Sequence, residues 1–118
     1  MKTKAPAGIG KAGAILWDSI AGKYALRPDE LSTLEDACQL TDMIAALDNA
    51  WNDDGRPLTT KGSMGQQVTH PLISEIRTHR MARQALLRSL KLPDDDSAVP
   101  DASRSARKAA SARWSHGA

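Results

Sequence analysis

A turn-forming block between two long helical patterns is the feature of this chain that most constrains its fold. Gly62-Ser63-Met64-Gly65 lies between residues 58–61 and 66–69, two short runs that favour an extended backbone. Glycine supplies the positive φ that tight turns need, so this arrangement predicts a β-hairpin over about residues 58–69. Because a two-stranded hairpin is marginal in water on its own, we expect it to lean on the helices or on a neighbouring subunit.

Three helical patterns surround the hairpin. The first, over residues 11–24, is indicated by apolar residues at steps of three and four: Leu16, Trp17, Ile20 and Tyr24. The second is predicted over about residues 28–51 and the third over residues 71–90, and both open on a proline, which suits the first helical position. The predicted fold class is therefore mainly α: two long helices and a shorter N-terminal helix, with one β-hairpin between helices 2 and 3.

The length of 118 residues predicts one small domain with two tails. We expect a flexible N-terminus over residues 1–10, a helical oligomerisation core over residues 11–91, and a flexible basic C-terminal tail over residues 92–118. The acidic run Asp94-Asp95-Asp96 predicts a solvated linker at the start of that tail.

The predicted core of a single chain is small. Phenylalanine is absent and aromatic residues make up 3% of the chain, and a domain of this size buries only about 60–65% of its unfolded surface. We therefore expect further burial between subunits, in a homo-oligomeric ring. The residues predicted for oligomerisation lie on the apolar faces of helices 2 and 3: Leu34, Ile44, Leu47, Trp51, Leu86 and Leu90.

Charge is distributed unevenly along the chain, although the formal net charge is only +2. Residues 18–54 contain nine acidic and two basic residues, whereas residues 55–93 contain seven basic residues and one acidic residue, Glu75. Residues 102–118 contain four basic residues and no acid. This separation predicts one acidic and two basic surfaces.

The basic residues predict contacts with the phosphates of double-stranded DNA. Arg77, Arg80 and Arg88 share one flank of helix 3, and Lys61 precedes them in the hairpin. The candidate contacts in the tail are Arg104, Arg107, Lys108 and Arg113. Few aromatic residues lie between the basic ones, which disfavours stacking on single strands. A solvated face, or ion pairs with the acidic helix 2 or with an adjacent subunit, is the alternative interpretation of the helix 3 arginines.

No catalytic or metal-binding pattern is evident. The histidines are scattered along the chain at positions 70, 79 and 116, and Cys38 is the single cysteine, so we predict no metal site, no cofactor and no enzymatic activity. The order of Lys61-Gly62-Ser63 is not that of a phosphate-binding loop.

Cys38 is interpreted as a buried small hydrophobic residue in a reducing compartment. No apolar run approaches the roughly 20 residues of a membrane span, and we expect no membrane partner.

In this order, the elements resemble the small subunit of tailed-phage terminases. The resemblance covers about residues 11–114, and the order and spacing of short, non-catalytic pieces carry it. The pieces are Leu16-Trp17-Asp18-Ser19-Ile20, Leu26-Arg27-Pro28-Asp29-Glu30-Leu31, the hairpin from Thr60-Lys61-Gly62-Ser63 to His70-Pro71, and Ala106-Arg107-Lys108-Ala109-Ala110-Ser111-Ala112-Arg113-Trp114.

The resemblance implies a non-catalytic subunit of a viral DNA-packaging machine. Such a subunit assembles into a ring, binds viral double-stranded DNA and regulates the large terminase subunit, which carries the ATPase and nuclease, in the cytoplasm of the infected bacterial host. Many small terminase subunits carry a separate N-terminal helix-turn-helix domain, for which no room is evident here.

Three further classes of function stay open at this point. A DNA-binding transcriptional regulator would need a recognition helix with base-reading side chains and would form a dimer rather than a ring. A helical assembly protein would bind no DNA, and a salt-sensitive binding assay separates that case. An enzyme would need a site that the sequence does not display, and a nuclease test with Mg²⁺ and the protein alone addresses it.

Overall fold

The computed structural model describes residues 3–93. The elements follow in the order α1 (Lys11–Ala21), α2 (Pro28–Asp53), β1 (Thr59–Lys61), β2 (Gln67–Thr69) and α3 (Pro71–Ser89). The predicted mainly helical architecture with one hairpin between helices 2 and 3 is therefore confirmed. α1 ends earlier than predicted, because the chain leaves it at Gly22 through a turn in which the N–H groups of Lys23 and Tyr24 both reach the Ile20 carbonyl.

The helices α2 and α3 pack antiparallel to each other, and α1 packs against α2. The main core cluster joins α1, the first half of α2 and the residue that ends α3, and consists of Trp17, Ile20, Ala21, Leu34, Cys38 and Leu90. The hairpin connects the last residue of α2 to the first residue of α3, at the end of the helix pair that is opposite this cluster. It therefore lies far from this cluster, beyond more than two further turns of each long helix.

The start of α2 is fixed by a buried carboxylate. Glu30 is only 6% exposed, and its Oε1 accepts the backbone N–H of Arg27 at 2.8 Å. The Arg27 guanidinium lies 3.2 Å from the other oxygen, Oε2. Pro28 occupies the first helical position, where its missing N–H costs nothing. An acid in the first turn is also favoured by the helix dipole.

The helix α1 approaches α2 most closely at Gly13. A Cβ atom at this position would lie 2.6 Å from the carbonyl oxygen of Cys38, so only glycine allows this separation. The N-cap residue of α1, Gly10, has no side chain with which to accept a hydrogen bond. The Asp42 carboxylate of α2 accepts the N–H groups of Gly10 at 2.6 Å and Gly13 at 2.7 Å instead. One side chain of α2 thus satisfies donors at the start of another helix.

Both ends of the described chain lie against the core. Within the predicted flexible N-terminus of residues 1–10, Ala5 and Ile9 pack on the core cluster. The carbonyl of Thr3 also accepts the indole N–H of Trp17 at 2.9 Å. At the other end Leu92 packs on the same cluster. The Tyr24 hydroxyl donates to the Pro93 carbonyl at 3.1 Å. The rest of the predicted tail, residues 94–118, lies outside the described residues.

Across residues 3–93, none of the helices combines the length and the apolar character needed to cross a membrane.

Candidate nucleic-acid interface

The arginines of α3 fall into two groups by their contacts. Arg80 lies 3.3 Å from Asp48 of α2, measured from its guanidinium nitrogen to Oδ2. Arg83 is half-buried, and its guanidinium reaches the Thr41 hydroxyl at 3.4 Å. Both side chains are therefore turned toward α2. This arrangement agrees with the alternative interpretation, ion pairs with the acidic helix, for Arg80.

Arg77 and Arg88 are exposed, and neither has a carboxylate partner within residues 3–93. They are eleven residues apart, which is about three turns and about 16 Å along the helix, so they share one stripe. Met81 and Gln84 lie between them on the same stripe and are also exposed. The stripe carries positive charge on the side of α3 that faces away from α2.

The hairpin contributes a third exposed cation. Lys61 pairs with Gln67 across the two strands, and both side chains are exposed. Within the described part of the chain Lys61 has no carboxylate partner. The turn is closed by the Gly62 N–H, which donates to the Gln66 carbonyl at 2.6 Å. The Gln66 side chain accepts the Met64 N–H at 3.0 Å. These bonds explain how the two short strands keep their register.

The junctions on either side of the hairpin are built from side chains. Before it, the indole N–H of Trp51 donates to the Pro57 carbonyl at 2.9 Å, and the Arg56 guanidinium lies 4.7 Å from the centre of the Trp51 ring. After it, Nδ1 of His70 accepts the Leu72 N–H at 3.2 Å and so caps α3. Its Nε2 lies 3.3 Å from Asp54 Oδ2. His70 therefore links the start of α3 to the residue that follows α2.

Arg56 is an exposed cation that the sequence analysis did not single out. Its Nε donates to the Asn52 side chain, and it has no carboxylate partner in residues 3–93. Its φ of +57° is unusual for a residue with a side chain. The sequence signal for it is Asp54-Gly55-Arg56-Pro57, a turn-forming run that places a charged residue shortly after Trp51.

The residues predicted for oligomerisation separate into two sets. Leu34, Ile44 and Leu90 are buried within the single chain. Leu47, Trp51 and Leu86 are half-buried and keep part of their surface accessible. Two apolar side chains outside the predicted set are more exposed than these three: Ile15 of α1 at 64% and Met43 of α2 at 49%. Ile15 borders a shallow open groove between the start of α1 and α2, which Ala12, Ala45 and Ala46 also line.

The candidate tail residues Arg104, Arg107, Lys108 and Arg113 lie outside the described residues.

Within residues 3–93, no group of three or more His, Cys, Asp or Glu side chains is arranged to hold a metal ion. Cys38 is fully buried. Burial, with smaller contributions from the negative charges of Asp42 and Glu35, raises the pKa of its thiol to about 11. Four exposed cations, Arg56, Lys61, Arg77 and Arg88, are therefore available to bind anions.

No family model matches this chain, and neither a curated protein nor a solved structure matches it.

Proposed function

We propose that this chain is the small subunit of a viral DNA-packaging terminase. It acts as a non-catalytic ring that binds viral double-stranded DNA and regulates a large ATPase and nuclease subunit in the cytoplasm of the infected bacterial host. The proposal rests on the order and spacing of the sequence pieces that resemble that family. It is supported by the unpaired cations on the exposed side of α3.

One observation carries the DNA-binding part of the proposal. Arg77 and Arg88 project from the same exposed stripe, about 16 Å apart, and neither is neutralised by a carboxylate of residues 3–93. Guanidinium groups without an internal partner are free to make charge-assisted hydrogen bonds with phosphate oxygens. Because such contacts do not read bases, the helix supplies affinity rather than sequence preference.

Ring assembly is supported by apolar surface that residues 3–93 do not cover. Ile15 and Met43 are exposed, and Leu47, Trp51 and Leu86 keep part of their surface accessible. Exposed apolar side chains are a common mark of a protein interface when they adjoin one another. Light scattering at micromolar concentration is expected to give a mass several times that of one chain. A monodisperse monomer would remove the ring from the proposal.

Residues 94–118 of the basic C-terminal tail are proposed to dock on the large subunit or on DNA. Deletion of residues 94–118 is expected to leave the oligomer intact and to weaken stimulation of the large subunit's ATPase. If the deletion dissociates the oligomer, the tail is part of the assembly and this role is wrong.

Charge reversal tests DNA binding directly. We expect Arg77→Glu with Arg88→Glu to abolish binding to a mixed-sequence duplex, measured by fluorescence anisotropy, and to leave the oligomer mass unchanged. The matched control is Lys4→Glu with Lys11→Glu, which makes the same change in net charge at exposed positions of the N-terminal region. The slope of log affinity against log salt should become shallower by about 0.9 for each phosphate contact that a substitution removes.

Each result of that experiment decides the proposal. If the lysine pair rather than the arginine pair abolishes binding, DNA is held by the N-terminal region and the α3 site is wrong. If the arginine variant dissociates the oligomer, these arginines belong to the subunit interface. If the wild type binds no duplex at low salt, the chain is a helical assembly protein and the DNA-binding function fails.

A further inference from the structure

We propose that one face of the β-hairpin enters the major groove of duplex DNA and contacts base edges, while α3 holds the phosphates. The inference rests on the proposed function, because it takes duplex DNA as the partner. It goes beyond it by assigning sequence preference to a separate element of the chain.

The face in question is defined by the strand register. Thr59 pairs with Thr69 and Lys61 pairs with Gln67. Cross-strand partners and alternate residues of a strand project to the same side of a sheet. Thr59, Lys61, Gln67 and Thr69 therefore form a single surface, which we call the outer face. All four are exposed.

The opposite face of the hairpin is different. It carries Thr60 and Val68, which pair with each other, and Val68 is half-buried. The Val68 side of the hairpin is therefore less accessible than the outer face, which is open to solvent.

The outer face is preorganised rather than loose. Nε2 of Gln67 donates to the Thr59 hydroxyl at 3.0 Å, which fixes one side chain against the other. The base of the hairpin is closed by the His70 N–H, which donates to the Leu58 carbonyl at 3.0 Å. Bonds at the turn and at the base hold the ribbon without using the outer face. A fixed ribbon binds with less loss of conformational entropy than a mobile loop.

The charge around the hairpin fits a polyanion. No acidic residue occurs between Asp54 and Glu75. Lys61 lies on the outer face, and Arg56 lies at the entry to the hairpin on the ring of Trp51. Asp54, the acid at the base, already faces Nε2 of His70 at 3.3 Å. A duplex approaching this end of the molecule meets positive charge on the hairpin and then on α3, where Arg77 lies only about 9 Å along the helix from Pro71.

The side chains of the outer face have the chemistry of base readout. The major groove is about 12 Å wide and admits a two-stranded ribbon, whose strands lie about 4.8 Å apart. Glutamine can bond N6 and N7 of adenine, lysine can bond O6 and N7 of guanine, and a threonine methyl can contact the methyl of thymine. Since Lys61 and Gln67 are direct partners across the strands, they would reach neighbouring base pairs.

In vitro selection from a random-sequence duplex library tests the assignment with three full-length proteins. Wild type and Thr60→Ala, the matched control on the opposite face, are expected to enrich the same short motif. Gln67→Ala is expected to lose the preference at one or two positions of that motif. Its affinity for a random duplex should stay within about twofold of the wild type, because α3 holds the phosphates.

A second measurement removes the acceptor from the DNA instead of the donor from the protein. Replacing the adenines of the selected motif by 7-deazaadenine deletes the major-groove N7 atoms that a glutamine bonds and leaves the phosphates unchanged. We expect wild-type affinity to fall about tenfold, and we expect Gln67→Ala to bind both duplexes equally.

Three outcomes would overturn the inference. The wild type could bind DNA and enrich no motif, Gln67→Ala could keep the wild-type motif, or Thr60→Ala could lose it as completely as Gln67→Ala does. Each of these leaves the proposed function standing. The proposed function fails separately, and with it the inference, if the wild type binds no duplex at low salt.

Discussion

Arg80 of α3 and Asp48 of α2 form an ion pair, with 3.3 Å between the guanidinium nitrogen and Oδ2. The pair is partly exposed, with 53% of the Arg80 side chain and 31% of the Asp48 side chain accessible. It links the two long helices on the flank of α3, next to the stripe that carries Arg77 and Arg88. Two neighbouring surfaces of one helix thus hold arginines with different environments.

Arg80→Ala is expected to lower the free energy of unfolding by less than about 1 kcal/mol, because exposed ion pairs contribute little. A double-mutant cycle with Asp48→Ala in urea measures the coupling. The same substitution should reduce DNA affinity less than Arg77→Ala or Arg88→Ala does. If Arg80→Ala causes the largest loss of the three, the ion pair opens on DNA and our division of the arginines is wrong.

Asp42→Ala is expected to cost about 1–3 kcal/mol of stability, because it leaves the N–H groups of Gly10 and Gly13 without their acceptor. Asp42→Asn keeps one acceptor oxygen and should cost less. Asp36→Ala, at an exposed position of the same helix, is the control and should change stability by no more than about 0.5 kcal/mol. Chemical denaturation of the four proteins tests the order. An equal loss for Asp36→Ala and Asp42→Ala would contradict the capping role.

Gly13→Ala is expected to destabilise the protein by about 1–3 kcal/mol, because the added methyl group would meet the Cys38 carbonyl of α2. The sign is the informative part, since replacing glycine by alanine within a helix ordinarily stabilises it by about 1 kcal/mol. Ala14→Gly reports that propensity in the same helix. Thermal unfolding of both variants is the measurement, and a rise in Tm for Gly13→Ala would show that α1 can move away from α2 at no cost.

Cys38 is expected to make stability fall at high pH. Its thiol pKa is about 11 in the folded chain against an ordinary value of 9.0, so between these values the unfolded chain loses a proton that the folded chain keeps. The contribution is fully present below pH 9 and is lost as the pH rises toward 11, up to about 2–3 kcal/mol. Urea denaturation at pH 8.5 and pH 10.5 should show a larger loss for the wild type than for Cys38→Ala. Parallel losses would place the thiol pKa near its ordinary value.

Local signals in the sequence were sufficient for the order of the elements. Pro28 and Pro71 open α2 and α3 where the sequence predicted, because proline at a first helical position is a local preference. The hairpin likewise follows from glycines around a short turn. These features depend on residues close in the chain.

Contacts between distant residues were not predictable in the same way. A helical wheel identified an apolar face on α2, yet it could not show that Leu34 and Ile44 are buried within the same chain while Leu47 stays partly accessible. The charge pattern likewise left open whether the helix 3 arginines pair with the acidic helix 2 of the same chain or with an adjacent subunit. Relative helix placement decides such questions, and it depends on close approaches such as the one at Gly13.

The dependence of α1 on Asp42 has a consequence for synthesis on the ribosome. An isolated helix of eleven residues is marginal in water, and the first turn of α1 is completed by a residue 29 positions later than Gly13. α1 is synthesised before α2, so its first turn lacks these acceptors until residue 42 has been added to the chain. The helix is therefore made before the side chain that completes it.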